Sequence, residues 1–466
     1  MLVLDDSIAN IALPSIQAQF GVPPSLLPWV VNAYVLAFGG LLLLGGRVGD
    51  LFGRRKVFRA GLGIFTVASL AGGFAWNVES LIAARALLGV GAALAAPNGL
   101  ALIATNFPVG AERNKAVAVY GAMSALGITA GVLLGGVLTG TLGWRWVFFI
   151  NVPVGLGVLA GTRVLLEGDR GRGKLGTFGA VIGTAAILFL VIGITRAGEN
   201  TWADPAAWAS VAAAAVLLGL FVAVQARSAN PMLPLSLLSE RNRAGSYAAM
   251  LLFGAGMMGT YYLLTLYLQQ VMGFGPARAG VAALPFAIGI IVGAGISSKL
   301  VEKVSPRAVA VPGLLLGALG MLWLSRIMPH ASYFVHVLPG VFAVSSGLGA
   351  TAIATTLTAV HGVPDERVGV GSAVVNMAQQ IGAALGIAAM TAISTAVSDQ
   401  RIPQAASTLH SGGAHPATTA RAAEALAAGY STAFLAGAAL LLAAAALVGW
   451  AVNTRMVQKS AGASAY

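Results

Sequence analysis

The chain has 466 residues, of which 58% are hydrophobic and 9% are charged, against about a quarter charged in soluble domains, so most of its surface must face lipid. Its net charge is +12, but the basic residues fall between apolar runs, which is typical of membrane topology signals rather than of a nucleic-acid surface. With no cysteine and five scattered histidines, a disulfide framework and a thiolate metal site are excluded, and we expect no metal and no cofactor.

The apolar residues form about fourteen runs long enough to cross ~30 Å of hydrocarbon as helices. The runs are continuous rather than alternating, which favours helices over the strands of a barrel. The fold class predicted is therefore an all-α integral membrane protein. The runs lie near residues 1–18, 28–45, 57–75, 80–103, 115–139, 147–166, 176–195, 206–226, 244–268, 279–298, 308–327, 334–355, 369–396 and 429–451.

Lysine and arginine are distributed unequally between the two sides of these spans. Twenty lie in the loops after even-numbered spans or at the C-terminus, six lie on the opposite side, and Arg85 lies within a span. The positive-inside rule then places both termini in the cytoplasm. We expect no signal peptide, because Asp5 and Asp6 occupy the region where a basic segment and an apolar core would be needed.

Two weak internal sequence similarities suggest a repeat. The glycines of the fifth span resemble Gly382 and Gly386 in the thirteenth, and the basic loop after the second span resembles the loop after the tenth. Both offsets are eight spans, which fits two six-helix halves with two extra helices between them, as in secondary transporters. We predict an N-terminal half at 1–167, a linker with two extra transmembrane helices at 168–230, and a C-terminal half with a short cytoplasmic tail at 231–466.

Two acids, Asp5 and Asp6, lie in the first span. A carboxylate inside a membrane costs at least ~2.5 kcal/mol, so it normally faces a polar cavity and serves ions, protons or charged ligands. The alternative is that both acids cap the start of a cytoplasmic helix. Because successive residues are about 100° apart around a helix, we expect only one of them to face a cavity.

A charged motif follows the second span and contains Gly46, Asp50, Gly53, Arg54, Arg55 and Lys56. Gly46 and Gly53 permit a tight turn, and Asp50 can accept charge-assisted hydrogen bonds from Arg54, Arg55 or a neighbouring helix. Such a pair could latch one conformational state. The alternative is that these cations only obey the positive-inside rule.

Arg85 lies in the fourth span, where a cation is costly unless it is paired or hydrated. Counted from the outer ends of their helices, Arg85 is about 8 Å deep and Asp5 about 20 Å deep. We therefore expect no direct ion pair between them. The alternative for Arg85 is snorkelling to the outer interface.

The fifth span contains Gly127, Gly131, Gly135 and Gly136, whose spacing lets helix backbones approach closely. Ordinary packing and a special role in antiport explain these glycines equally well.

Polar and amphipathic residues elsewhere in the spans are candidates for lining a central cavity. Tyr262 is equally compatible with a cavity and with the aromatic belt at a membrane interface. The candidates are Asn10, Asn32, Tyr34, Asn98, Tyr261, Tyr262, Asn376, Gln379 and Gln380.

Four segments carry a resemblance to a known family. They read LDDSIANIALP from residue 4, GRVGDLFGRRK from 46, WRWVFFINVPVG from 144 and TLYLQQVMGFGPARAG from 265. Together they resemble the fourteen-span drug:proton antiporters of the major facilitator superfamily. In addition, Arg85 resembles the arginine of that family's fourth-helix motif, and the glycines of the fifth span resemble its antiporter signature.

The resemblance implies a proton-coupled exporter of drugs, antibiotics or other amphiphilic or cationic molecules, working by alternating access as a monomer in the bacterial inner membrane. Asp5 would take a proton from outside and release it inside, with Asp6 and Arg85 completing the proton-coupling set and H⁺ as the coupling ion. Alternatives are a membrane receptor or scaffold that does not transport, and an uptake permease. An enzyme is disfavoured because no carboxylate, His or Ser recurs at catalytic spacing.

The start of the chain is short for this family. Only four residues, Met1 to Leu4, precede Asp5, whereas the family has more apolar residues ahead of its acid. We expect that the native product begins upstream and that the added residues raise efflux activity.

Overall fold

The computed structural model describes residues 1–107, 110–167, 176–200, 203–228, 231–329, 331–360, 368–401 and 416–452, and regular structure in these ranges is helical throughout. The first seven helices are α1 (Leu2–Phe20), α2 (Leu27–Phe52), α3 (Arg54–Gly73), α4 (Val78–Asn106), α5 (Ala111–Thr141), α6 (Trp146–Phe149) and α7 (Asn151–Gly161). They are followed by α8 (Thr177–Asn200), α9 (Pro205–Arg227), α10 (Ser236–Ser239), α11 (Arg241–Leu266), α12 (Pro276–Leu300), α13 (Pro306–Leu324), α14 (Leu338–Val360), α15 (Val368–Arg401) and α16 (Pro416–Ala451).

Within the described residues, 11 helical segments are long and apolar enough to cross a membrane. This confirms the prediction of an all-helical membrane protein. By this criterion the number is smaller than the fourteen spans predicted. Helices α1 and α3 are not among the 11, and α5 contributes only a shorter apolar stretch, Leu126–Thr141. Charge explains part of this, since α1 carries two acids and α3 begins with three basic residues.

The helix ends differ most from the predicted spans at two places. Helix α2 continues to Phe52, so Gly46 and Asp50 are helical and Gly46 makes no turn. The connection to α3 is the single residue Gly53, whose φ of 103° is in the region that favours glycine. The last helix begins at Pro416, well before residue 429, because it includes a less apolar stretch around Glu424.

Two groups of helices pack around a shared centre. In the first group α1 packs on α5, and α4 packs on both α2 and α3. In the second group α11 packs on α15 and α16, and α14 packs on α12 and α13. The groups meet where α5 contacts α12 and where α2 contacts α15, while α8 joins α15 to the peripheral helix α9. The first helix, which carries both acids, thus lies near the boundary between the groups.

Candidate ion-coupling site

A buried ion pair joins α1 to α4. Arg85 Nη1 donates to Asp5 Oδ2 over 2.6 Å, and both side chains are 0% exposed. The expectation that these residues do not pair is therefore wrong. The depth argument assumed that the helix ends lie at one level and that the helices run parallel, and it neglected the length of the arginine side chain.

Arg85 is held by two further contacts with α2. Its Nε donates to the carbonyl oxygen of Val30 over 2.8 Å, and its guanidinium carbon lies 4.5 Å from the centre of the Tyr34 ring. Snorkelling to the interface is excluded, because the side chain is fully buried. The cation therefore has a backbone carbonyl and an aromatic face as partners besides the carboxylate.

Asn151 holds the second oxygen of Asp5. Its Nδ2 donates to Asp5 Oδ1 over 2.7 Å and to Ser69 Oγ over 3.1 Å. The Ser69 hydroxyl in turn donates to the carbonyl oxygen of Phe148 over 2.8 Å. Both oxygens of Asp5 are thus hydrogen-bonded, and the contacts of the site link six helices, α1, α2, α3, α4, α6 and α7.

Sequence reasoning did not select Asn151 or Ser69. Asn151 begins α7 directly after the interruption of the helix at Ile150, and it lies inside the family-like segment that starts at Trp144. A lone amide at a helix start inside an apolar span was the available signal. Ser69 offered none, because serine in an apolar helix commonly bonds to its own backbone.

The geometry has a clear electrostatic meaning. Desolvating two charges is expensive, and only close pairing with further hydrogen bonds compensates for it. Here the Asp5–Arg85 pair is completed by Asn151, Val30 and Tyr34. A change in the charge of Asp5 therefore alters the contacts that α1 makes with α4 and α7.

Asp6 points away from this pair. Its Oδ1 is buried and has no hydrogen-bond partner among the described residues. The Tyr34 hydroxyl of α2 donates to the Leu2 carbonyl, one helical turn before Asp6, and the Tyr261 hydroxyl of α11 donates to the carbonyl of the next residue, Ser7. The two acids therefore face different surroundings, as their angular separation predicts.

Of the predicted cavity residues, three lie near Asp6. Asn10 donates to the backbone oxygen of Asp6 over 2.9 Å, and its own Oδ1 is buried without a partner. Tyr261 donates to the backbone oxygen of Ser7 over 3.2 Å across the two helix groups. Tyr34 contacts Arg85, as described above.

The other predicted cavity residues are distributed through the bundle. Asn98 lies between α2 and α4, where it donates to the backbone oxygens of Gly45 and Leu94, so it is a packing residue rather than part of a cavity wall. Asn32 is buried, and its amide has no partner within the described part of the chain. Tyr262 is buried, which places it in the interior rather than in an interfacial belt. Asn376 is exposed on α15, while the half-buried Gln379 and Gln380 lie where α15 packs on α11 and α2 respectively.

The glycines of the fifth span pack against two helices. A Cβ at Gly131 would lie 2.8 Å from the backbone oxygen of Leu4, and Gly127 and Gly135 also face α1. Gly136 faces α12, where a Cβ would lie 2.7 Å from the backbone oxygen of Pro276. These glycines therefore bring α5 against the helix that carries Asp5 and join the two helix groups.

The charged motif after α2 is only partly arranged as predicted. Arg54 pairs with Asp50 at 3.1 Å, which agrees with the sequence analysis, but both side chains remain about a third exposed (34% and 39%). Arg55 does not contact Asp50 and instead donates to the backbone oxygens of Thr162 and Arg163 at the end of α7. The exposed Lys56 follows it on α3.

A second set of polar contacts joins α1 to the π-helical turn Tyr267–Val271 that follows α11. Gln269 donates to the backbone oxygen of Ile11 over 3.0 Å, and Gln270 donates to Gln17 Oε1 over 3.0 Å. Tyr430 on α16 donates to Gln270 over 2.8 Å. These side chains hold the helix groups together at the end of the bundle where α1 terminates.

A membrane bundle of two helix groups with a buried ion pair near their boundary defines a multi-pass helical transporter. The chain belongs to the major facilitator superfamily, whose profile matches residues 1–387. Members of this family move solutes across membranes, so the chain is a transporter and not an enzyme.

Similar proteins include exporters of antibiotics. The puromycin resistance protein of Streptomyces alboniger is 41% identical over 401 residues, covering 85% of this chain and 79% of that protein. The cephamycin export protein of Amycolatopsis lactamdurans is 38% identical, covering 84% and 82%. Among solved structures, the chain resembles a bacterial homologue of the human lysosomal transporter Spinster in an inward-facing, unoccupied conformation. The TM-score is 0.66 at 16% identity, and the match covers 97% of this chain and 95% of that one. This similarity supports the fold.

Proposed function

We propose that this protein is a proton-coupled exporter of antibiotics or other amphiphilic small molecules, working by alternating access in a bacterial inner membrane. The observation that carries the proposal is the Asp5–Arg85 pair, which is 0% exposed at the centre of the bundle. Ionisable residues inside membrane proteins are costly and normally serve ion or substrate pathways. The antibiotic exporters among its relatives support the direction of transport.

The surroundings of the pair are suited to two protonation states of Asp5. When Asp5 is ionised, it accepts hydrogen bonds from Arg85 and Asn151. When Asp5 takes up a proton, Arg85 keeps the Val30 carbonyl and the Tyr34 ring but loses its opposite charge. Protonation therefore loosens α1 from α4 and α7 and makes the buried cation costly in this position, which couples the proton to the arrangement of these helices.

The contacts between the helix groups support an inward-facing state. The groups are joined where Gly136 meets Pro276 and where Gln270 meets Gln17. Both contacts lie toward the end of the bundle that the positive-inside rule places outside, with both chain termini in the cytoplasm. Substrate would thus enter from the cytoplasm, and these outer contacts would break on export.

The architecture we propose has fourteen membrane-spanning helices. Helices α1, α3 and α5 have 19, 20 and 31 residues, and we add them to the 11 apolar segments. The halves are then 1–167 and 231–466, with two extra helices in 168–230, and the functional unit is a monomer. The pairing of α8 with α9 beside α2 and α15 supports an insertion at the edge of the bundle.

Flux measurements in proteoliposomes test this function. An antiporter accumulates substrate in liposomes that are acidic inside, a proton symporter accumulates it when the outside is acidic, and a receptor or scaffold gives no flux in either case. Puromycin and chloramphenicol are suitable substrates, and protein-free liposomes correct for passive trapping of the amine. Asp5→Asn should abolish the proton-driven component while the protein still inserts, since an amide oxygen can still accept from Arg85. Accumulation only in liposomes with an acidic exterior would overturn export.

A further inference from the structure

The two neighbouring acids of α1 differ in how their oxygens are used. Asp5 Oδ1 accepts from Asn151 and Asp5 Oδ2 accepts from Arg85. Asp6 Oδ1 is buried, and no described residue donates a hydrogen bond to it or forms an ion pair with Asp6. Arg85 is close enough for its charge to act on Asp6 as well, but its hydrogen bond goes to Asp5. Arg85 thus hydrogen-bonds one acid of the two, and its Nη2 is buried with no partner among the described residues.

The second acid lies at the meeting point of the helix groups. Tyr34 of α2 donates to the Leu2 carbonyl, one helical turn before Asp6, and Tyr261 of α11 reaches α1 at the residue after it. Tyr261 is tied to α1 through the Ser7 carbonyl and packs on Phe286 with 5.4 Å between ring centres. One helical turn beyond Asp6, Asn10 presents another buried oxygen without a partner. Acceptor oxygens and aromatic rings from both groups thus surround one position.

This chemistry fits a positively charged organic ligand. A buried carboxylate without a partner is costly, and a cation that displaces water from it recovers a charge-assisted contact. Aromatic rings beside the carboxylate add attraction for ammonium groups. Asp6 is half-buried, whereas Asp5 is 0% exposed.

We propose that Asp6 binds the cationic group of an amine or quaternary ammonium substrate, with Tyr34, Tyr261 and the Asn10 oxygen around it, while Asp5 carries the proton. This inference rests on the proposed export function and divides its two tasks between adjacent residues. Because Tyr261 belongs to the opposite helix group, a cation bound at Asp6 would contact both groups at once. Substrate binding could then bias the same movement that the proton controls at Asp5.

The test compares a permanent cation with a neutral drug. Binding of ethidium and of chloramphenicol is measured on purified protein for the wild type, Asp6→Asn, Asp6→Glu, Asp5→Asn and the control Glu79→Gln, which removes an exposed acid on α4. We expect Asp6→Asn to weaken ethidium binding about tenfold or more and to leave chloramphenicol binding within about twofold. Asp6→Glu should recover part of the affinity, and Asp5→Asn should retain ethidium binding while losing proton-driven flux.

Several outcomes would overturn the assignment. Unchanged ethidium affinity in Asp6→Asn would show that Asp6 is not part of the substrate site. If the same variant also lost proton-driven flux, Asp6 would be a proton carrier instead. An equal loss of both probes would indicate a structural role. Failure of the wild type to bind ethidium, tetraphenylphosphonium and rhodamine 6G would exclude a cation site. The binding results do not depend on the liposome flux of the wild type, so they are separable from a failure of the export proposal.

Discussion

Asn151 provides the sharpest test of the ion-coupling site, because its amide donor stabilises the ionised form of Asp5 more than the protonated form. It donates to Asp5 Oδ1 over 2.7 Å, and the side chain is fully buried. Asn151→Leu keeps a similar volume and removes the donor, while Arg85 continues to hold the other oxygen. The variant therefore weakens the ionised form of Asp5 without removing the ion pair.

The magnitude follows from this one hydrogen bond. A hydrogen bond to a charged group contributes about 1.5–3 kcal/mol. Because one pH unit corresponds to about 1.4 kcal/mol, the pH at which proton-driven transport is half-maximal should move upward by about 1–2 units. The direction is upward because the loss of a donor to the carboxylate favours its protonated form.

Proteoliposome flux at a fixed pH difference, repeated over a range of absolute pH, measures this midpoint. Infrared difference spectra can follow the protonated carboxyl band directly, with Asp5→Asn as the reference that lacks it. Gln225→Leu is the control, since it removes a buried amide on α9 far from the pair. A folded Asn151→Leu protein whose midpoint is unmoved or moves downward would refute Asp5 as the titrating group held by Asn151.

Three further predictions concern stability and turnover. Arg85→Leu should lower the free energy of unfolding by about 3–5 kcal/mol, because it leaves Asp5 buried and unpaired. The double variant with Asp5→Leu should regain thermal stability in detergent but not transport. Equal melting temperatures for the single and double variants would contradict the pairing. Gly131→Leu should separate α1 from α5 and reduce both melting temperature and flux, whereas Gly63→Leu, with nothing within 4 Å of its Cβ position, should change neither. Asp50→Ala should slow turnover more than it weakens substrate binding, as measured by comparing flux with equilibrium binding, and an unchanged rate would reduce the motif to a topology signal.

The helices of this protein were largely predictable from the sequence because the bilayer imposes one strong constraint. A segment that crosses hydrocarbon must be helical and apolar over its length, so runs of apolar residues mark the helices directly. The constraint weakens at the membrane edges, where polar residues continue a helix into water. That is why the extensions of α2 to Phe52 and of the last helix back to Pro416 lay outside the predicted spans.

Close helix packing was predictable in kind but not in its partners. The spacing of the glycines of α5 indicates a flat helix face, but spacing alone does not say which helix lies on it. The structure shows Gly131 against α1 and Gly136 against α12. A similar limit applies to Asn98, whose polarity suggested a cavity. Its amide instead bonds the backbone of α2, because Gly49 leaves room for it.

The pairing of residues in the site could not be predicted from the sequence. Asp5 and Arg85 were both recognisable as costly charges in apolar helices, and each needs a partner of opposite charge in a medium of low dielectric. Depth along separate helices argued against their pairing, but two isolated buried charges are costly, and the long side chain of Arg85 reaches the carboxylate. The result is a contact of 2.6 Å. Asn151 escaped notice because a neutral amide carries no such cost until the charge beside it is known.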